Sequence, residues 1–191
     1  MAIKLNLGSG FHRLGAEYIN VDRERSVNPD VLWDLENFPY PWKSESIDEV
    51  IINHTLEHLS PYKQVMQELY RICKPGALIH ITVPWVFHIN QWSDPTHVRA
   101  ITPLGLQLLS RNLNERWIKG GYSNSPLAIY WGIDFDLISI FYVSDEAMWQ
   151  KTFPALWRDD IHNQQILKEN SNINGLISEM HAELTVVKNK I

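Results

Sequence analysis

The feature that most constrains the fold is a glycine turn between two short apolar segments near the start of the chain. Residues 4–24 read KLNLGSGFHRLGAEYINVDRE, so one strand-like segment ends at Gly8 and a second, 18–22, ends at Asp22. A glycine turn after a first strand lets the backbone approach a ligand closely. An acid that closes the second strand suits the hydroxyl groups of a ribose. The pattern is typical of nucleotide-binding α/β proteins.

The connection between these two strands is too short for a dinucleotide site. The dinucleotide fingerprint opens a full helix and places its acid about 20 residues after the glycines. Here only eleven residues separate Gly10 from Asp22, and residues 11–17 leave room for a turn instead of a crossover helix. The spacing indicates a ligand with adenosine and ribose but no pyrophosphate, of which S-adenosylmethionine is the common example. For the glycines alone, a purely structural turn stays the alternative.

The remaining pattern predicts strands that alternate with helices and then two strands without a regular helix between them. Ser60 is predicted to cap a helix that ends at Pro75, and Thr102 to cap a second one. A single α/β domain over residues 1–191, with a mixed sheet edge, follows from this order. The segment at about 144–175 is predicted to be an insertion, with a lid as one interpretation. The predicted strands are 3–7, 18–22, 30–35, 49–53, 77–83, 132–143 and 179–188.

Composition argues against several classes of function. The net charge of -5 gives no strong nucleic-acid signal. No apolar run is long enough to span a bilayer, and no signal peptide is recognisable before the first strand. The single cysteine, Cys73, fits a reducing compartment, so we expect a cytoplasmic protein. With no strong nucleic-acid signal, the expected partner is a small-molecule substrate.

Six blocks of the sequence, taken in order, resemble one family. The match covers roughly residues 3–102 and is similar to the class I S-adenosylmethionine-dependent methyltransferases, in the methyltransferase type 11-like branch with a shortened first crossover. The resemblance implies a Rossmann-like three-layer α/β sandwich. Its mostly parallel seven-stranded sheet would have the order 3-2-1-4-5-7-6, with the last strand antiparallel. The blocks are LNLGSG, YINVDRE, DVLWDLENFPYPWKSESIDEV, NHTLEHL, RICKPGALIHITVPW and DPTHVRAIT.

The same resemblance implies a cofactor site for S-adenosyl-L-methionine, position by position. The family commonly has an acid where this chain has Asn6, and that departure concerns the affinity for the cofactor more than the fold. The implied residues are Asn6, Gly8, Ser9 and Gly10 at the methionine end, Asp22 and Arg23 at the ribose, Asp34 and Leu35 beside the adenine where they close the third strand, and Asn53 and His54 beside the sulfonium.

The expected function is methyl transfer from S-adenosylmethionine to a small acceptor, such as a sugar, a lipid-linked sugar or a metabolite. Transfer to oxygen or nitrogen often needs a base, and His97 in the DPTHVR block is the first candidate, with His88 the second. A structural loop histidine is the alternative reading of His97. For the whole chain, the alternative is a protein that binds the cofactor without catalysis.

A rival of a different class is a zinc peptidase. Residues 54–58 read HTLEH, which fits the His-x-x-Glu-His motif that sets two histidines on one helical face. The block follows a predicted strand directly and ends two residues before Ser60, which leaves no room for the long helix that such a site requires. We therefore expect no metal at this pair of histidines.

Overall fold

The protein folds around one mixed seven-stranded sheet. A computed structural model describes residues 2–188. The strand order is β3-β2-β1-β4-β5-β7-β6, and β7 runs antiparallel to both of its neighbours while the other paired strands of the sheet run parallel. The Rossmann-like α/β fold and the strand order that the sequence predicts are confirmed. The strands are β1 (Lys4–Leu7), β2 (Tyr18–Asp22), β3 (Val31–Leu32), β4 (Ile47–Asn53), β5 (Cys73–Pro84), β6 (Phe135–Ser144) and β7 (Ile177–Val186).

One face of the sheet carries the hydrophobic core. Along β5, Ile79, Ile81 and Val83 are buried at every second position, and β7 continues the pattern with the predicted alternation, which ends at Val186. The opposite face carries half-buried polar side chains that pair across neighbouring strands. Lys4 of β1 lies 2.7 Å from Glu49 of β4 in an ion pair. The buried positions of β7 on the core face are Met180, Ala182, Leu184 and Val186.

Seven α-helices and one 3-10 turn, Arg25–Val27, complete the described chain. The first helix, α1, packs four buried side chains against the core, because Val65, Met66, Leu69 and Ile72 lie along one of its faces. The helices are α1 (Tyr62–Ile72), α2 (Ile89–Ser93), α3 (Pro103–Gln107), α4 (Arg111–Lys119), α5 (Leu127–Trp131), α6 (Glu146–Thr152) and α7 (Gln164–Glu169).

Two local predictions differ from the structure at element boundaries. The start of α1 lies at Tyr62 and not after Ser60. Pro61 occupies the N-cap position without a side-chain cap hydrogen bond, and the Ser60 N–H donates to Glu36 Oε1 at 2.7 Å. The third strand spans only Val31–Leu32, because the chain turns at Asp34, whose carbonyl accepts from the Asn37 N–H. Asp34 and Leu35 therefore follow the strand instead of closing it.

The segment between β6 and β7 contains α6 and α7 and is anchored to the sheet. Trp149 and Leu167 are buried in the main core. Gln164 of α7 accepts a hydrogen bond from the Tyr142 N–H of β6 at 2.7 Å and donates one to the Tyr142 carbonyl at 2.8 Å. Within the described part of the chain, none of the helices combines the length and the apolar character that a membrane span requires.

Candidate functional site

The carboxyl ends of the first four strands meet at one edge of the sheet, and a cavity of about 400 Å³ opens there. Ligands of open α/β sheets bind at this edge, where the strand order reverses direction beside the first strand. Seven of the residues that the sequence analysis assigned to a cofactor line the cavity, namely Gly8, Gly10, Asp22, Arg23, Asp34, Leu35 and His54. The lining residues that sequence reasoning missed are Trp33, Glu36, Thr55, His58, Leu59 and Thr96.

The glycine turn needs its first glycine for two reasons. Gly8 has a φ of 69°, in the left-handed region that side chains disfavour. A Cβ atom built on Gly8 would also lie 2.1 Å from Thr55 Oγ1, so a side chain there would collide with the loop after β4. The Thr55 side chain can pack against the glycine turn because position 8 carries no side chain, and both residues line the cavity.

Asp22 at the end of β2 holds the turn in place. Its Oδ2 accepts a hydrogen bond from the Gly10 N–H at 2.8 Å, and its Oδ1 accepts one from the Glu24 N–H at 2.8 Å. A carboxylate has about four acceptor positions, so each oxygen can take a second hydrogen bond. The side chain is only partly buried and lines the cavity, so it remains accessible to a ligand.

Asn6, Ser9 and Asn53, which were also predicted to touch the cofactor, do not line this cavity. Asn6 is buried, and its amide donates to Asn20 Oδ1 at 2.9 Å and to the His12 carbonyl at 3.0 Å, beneath the glycine turn. Ser9 is buried with no hydrogen-bond partner for its hydroxyl, and Asn53 is exposed beside the opening. Asn6 therefore has a structural task that the family pattern does not reveal.

A positively charged histidine lies where β4 ends. His54 has a φ of 45°, and the neighbouring carboxylates, Glu179 first and then Glu57, raise its pKa to about 9. Its Nε2 lies 3.3 Å from Glu179 Oε1. The pKa of Glu179 is lowered to about 2, first by His181 and then by His54. At neutral pH the mouth of the cavity thus carries an imidazolium.

A second cavity, of about 590 Å³, adjoins the first, and His54 and His58 line both. His97 lies in its wall, with Nδ1 2.9 Å from the Gln91 carbonyl oxygen. A carbonyl oxygen can only accept, so Nδ1 carries the hydrogen and Nε2 has the lone pair when the ring is neutral. His97 therefore has the tautomer that a general base requires.

His88, the second candidate base, faces elsewhere. It is buried and lines a separate cavity with Trp92 and Asp145. Its Nδ1 accepts a hydrogen bond from the Asn90 N–H at 3.2 Å and so caps α2. The structure does not bring His88 together with His97 at one cavity.

The HTLEH block does not form the helix of a zinc peptidase. Residues 56–58 form a turn, and the Glu57 carboxylate is fully buried between the strand end and α1. His54 and His58 consequently do not share a helical face, and the peptidase interpretation has no geometric support.

The residues of the first cavity fit an adenosine-containing cofactor. Gly8 and Gly10 leave an open cradle, Asp22 has acceptor capacity for ribose hydroxyls, and Leu35 with Leu59 gives apolar surface for an adenine. The cavity volume also falls within the range of small-molecule sites.

Comparison with known proteins agrees with this geometry. Residues 13–81 match a family model described as a methyltransferase domain, and no curated protein matches the chain significantly. A SAM dependent methyltransferase from Archaeoglobus fulgidus is similar in structure, with 18% identity and a TM-score of 0.63 over 96% of this chain and 86% of that one.

Two further solved structures share the fold. The YcgJ protein from Bacillus subtilis is 14% identical, with a TM-score of 0.53 over 99% of this chain and 93% of its own. The [4+2]-cyclase SpnF is 12% identical, with a TM-score of 0.53 over 98% of this chain and 76% of its own. A cyclase with this fold illustrates that fold alone does not define the reaction. The chain has the fold of the class I S-adenosylmethionine-dependent methyltransferases, and the resemblance predicted from its sequence is confirmed by the methyltransferase-domain match over residues 13–81.

Proposed function

We propose that the protein binds S-adenosylmethionine in the cavity beside the glycine turn and transfers its methyl group to a small acceptor in the adjoining cavity. The observation that carries the proposal is the pair of contiguous cavities at the carboxyl edge of β1, β2 and β4, which share His54 and His58. A donor in one cavity and an acceptor in the other would meet at these two side chains, as in-line transfer requires.

In this proposal the chain holds the cofactor at three points. Asp22 accepts hydrogen bonds from the ribose hydroxyls, and Gly8 and Gly10 let the backbone approach the amino-acid end. Leu35 packs against the adenine. The bound cofactor supplies a methyl group on a cationic sulfur, which is activated for transfer without a metal or a reduced group.

The acceptor side is polar, which favours a hydroxylated molecule such as a sugar, a lipid-linked sugar or a small metabolite. Asn90, Ser93, Asp94 and Ser178 offer hydrogen-bonding groups around the second cavity. The lone pair on Nε2 of His97 is the group that activates the acceptor, by taking its proton in the simplest form of the mechanism.

The first experiment tests the cofactor. Isothermal titration calorimetry of the purified protein should give stoichiometric binding of S-adenosylhomocysteine and no measurable binding of NAD, because the short crossover has no helix N-terminus for a pyrophosphate. Tight binding of NAD would exclude the proposal.

The second experiment tests catalysis with radiolabelled S-adenosylmethionine and a panel of sugars, lipid-linked sugars and small metabolites. His97→Ala should lower turnover by about 10²–10⁴-fold and leave S-adenosylhomocysteine affinity nearly unchanged. His162→Ala is the matched control and should retain turnover, because the exposed His162 lines neither cavity. Cofactor binding without transfer to any acceptor would favour the alternative, a protein that binds the cofactor without catalysis.

A further inference from the structure

Three side chains capable of binding a metal come together in the wall of the second cavity. One ligand atom from each of Glu57, His58 and His97 lies within 4.8 Å of the other two. All three residues line the cavity, so the point between them faces the space where the acceptor would bind. His58 also lines the cofactor cavity, which sets this cluster at the junction of the two.

The Glu57 carboxylate is the unusual member of the cluster. It is 0% exposed, and neither of its oxygens has a hydrogen-bond partner among the described residues. Its nearest charged neighbour is His54, whose Nδ1 lies 3.6 Å from Oε1, beyond hydrogen-bonding distance. A buried carboxylate without hydrogen bonds is costly in free energy. The protonated His54 ring offsets part of that cost, and a cation bound directly to the carboxylate oxygens would offset it further.

Both histidines are held in the tautomer of a metal ligand. His58 Nδ1 lies 2.9 Å from Thr96 Oγ1, and that hydroxyl donates its own hydrogen to Asp94 at 2.6 Å. The hydroxyl must therefore accept from His58. His97 Nδ1 donates to the Gln91 carbonyl at 2.9 Å. Metal-bound histidines usually donate their other ring N–H to such an oxygen, which orients the ring and leaves Nε2 free for the ion.

We propose that Glu57, His58 and His97 bind one divalent transition-metal ion, with zinc as the best match to two imidazoles and one carboxylate. At bond lengths of about 2.0–2.1 Å, the ligand atoms around a tetrahedral ion lie about 3.4 Å apart. The distance between any two of these ligand atoms must therefore shrink by roughly 1.4 Å at most when the ion binds. Three protein ligands leave a fourth position open toward the cavity. This site differs from the His54–His58 pair that the HTLEH motif suggested, because the second histidine comes from the DPTHVR block.

The chemical consequence rests on the proposed function and reassigns His97 from base to ligand. A hydroxyl group of the acceptor that reaches the open position loses its proton to solvent more readily, because the ion lowers its pKa. The oxygen electron pair then forms the bond to the methyl carbon. The electron pair of the broken carbon–sulfur bond remains on sulfur, which becomes a neutral thioether.

The test uses zinc chloride as the probe on protein stripped with EDTA and is followed by calorimetry. The wild-type protein should bind one zinc per chain. Glu57→Gln and His97→Gln should each weaken binding by more than the roughly 10- to 100-fold loss that removal of an outer partner causes. His80→Gln is the control, because His80 also lies within 4 Å of two carboxylates but outside the cluster. Zinc binding below a tenth of an equivalent, or equal affinity in Glu57→Gln and wild type, would overturn the inference.

A parallel titration with S-adenosylhomocysteine separates this inference from the proposed function. If the protein binds the cofactor analogue but not zinc, the metal site is refuted and the methyltransferase proposal stands. If it binds zinc but not the analogue, the methyltransferase proposal is refuted and the metal site stands. Should Glu57→Gln fail to fold, as a melting curve would reveal, His97→Gln on the half-buried loop still decides the question. With an identified acceptor, EDTA should abolish turnover and zinc should restore it, and full turnover after stripping would return His97 to the role of base.

Discussion

At the scale of single residues, Asp22 combines a structural task with a binding task. Its two oxygens order the backbone on either side by accepting from Gly10 and Glu24. Each oxygen keeps a second acceptor position, and the side chain lines the cavity. Loss of the carboxylate should therefore disturb both the turn and the ligand.

Asp22→Ala should weaken S-adenosylhomocysteine binding by roughly 30- to 1,000-fold, which is about 2–4 kcal/mol for two lost charge-assisted hydrogen bonds partly replaced by water. The melting temperature should fall as well, because two backbone N–H groups lose their acceptor. Asp22→Asn should give an intermediate affinity. Calorimetry and melting curves measure both effects, with Asp159→Ala, outside the cavity lining, as the control. Unchanged affinity in Asp22→Ala would refute the assignment.

Gly8→Ala should abolish cofactor binding and destabilise the fold by more than a left-handed alanine alone would. The new methyl group would meet Thr55 Oγ1, which is itself tied to the Asn53 carbonyl at 2.8 Å. Gly76→Ala is the matched control, because Gly76 has a φ of 78° with no atom near its Cβ position. Urea titration should show that Gly76→Ala lowers the free energy of unfolding by about 1–2 kcal/mol. An equal loss for Gly8→Ala would mean that Thr55 moves aside freely.

The sequence predicted the residues of the site that depend on backbone position and missed those that depend on loop packing. Gly8 and Gly10 follow β1 and Asp22 closes β2, so their place at the sheet edge could be inferred from the glycine turn and the acid that ends the second strand. Glu57 was weighed only as part of a zinc-peptidase motif. The signal in the sequence that its carboxylate is buried was the pair Leu56 and Leu59, because a residue between two leucines of a short turn tends to be drawn toward the core.

At the scale of elements, the first crossover is held by side chains where a helix is usual. Asn20 is buried at the centre of this arrangement and accepts from the Asn6 amide and the Leu14 N–H. Its own amide donates to the Leu14 carbonyl and to Asp30 Oδ2. The backbone N–H of Asn20, then Arg13, lowers the pKa of Asp30 to about 2. Four polar side chains thus fix a loop that has too few residues to form a helix.

Asn20→Ala should lower the free energy of unfolding by about 2–4 kcal/mol, because it leaves the Leu14 N–H and part of the Asn6 amide without partners. Cofactor affinity should fall too, since the glycine turn rests on Asn6. Asn37→Ala on the exposed loop after β3 is the control and should stay within about 0.5 kcal/mol of wild type. Urea titrations of the three proteins measure the difference, and an unperturbed Asn20→Ala would show that the loop needs no network.

Element boundaries were predictable where the local chemistry acts alone. Thr102 caps α3 as expected, with its side chain accepting from the Gly105 N–H and Pro103 in the first turn. Ser60 has an equally good local sequence, but Pro61 takes the N-cap position and the Ser60 backbone is tied to Glu36 by a tertiary hydrogen bond. A contact between residues 24 positions apart leaves no periodic signal in the sequence. For the segment at 144–175, the function of a lid stays a prediction.

At the scale of the whole molecule, the order of strands and helices predicted the α/β class, the family resemblance supplied the strand order, and a common core face runs through β1, β4, β5 and β7. The same apolar face extends from Leu5 in β1 to Leu184 in β7. The single thiol belongs to this core. Cys73, the first residue of β5 directly after α1, is 0% exposed, and burial raises its pKa to about 12.

Cys73 should therefore report global unfolding. In the native protein at pH 8, a thiol reagent such as DTNB should label almost no chain, because the thiol is both inaccessible and protonated. In denaturing urea, one thiol per chain should react. The midpoint of labelling should coincide with that of the circular dichroism signal. Rapid labelling without urea would show that the α1–β5 junction opens locally.

The two hydrogen bonds between Gln164 and Tyr142 affect how two copies of the molecule could associate through the sheet edge. Among the described residues β6 has one strand neighbour, β7, and its other side is an edge on which a second chain could add a strand. The Gln164 amide occupies both the N–H and the carbonyl of Tyr142, near the carboxyl end of that edge. An incoming strand must displace this amide before it can pair. The α6–α7 segment thereby blocks strand pairing at this position of the edge, whether or not any ligand is bound.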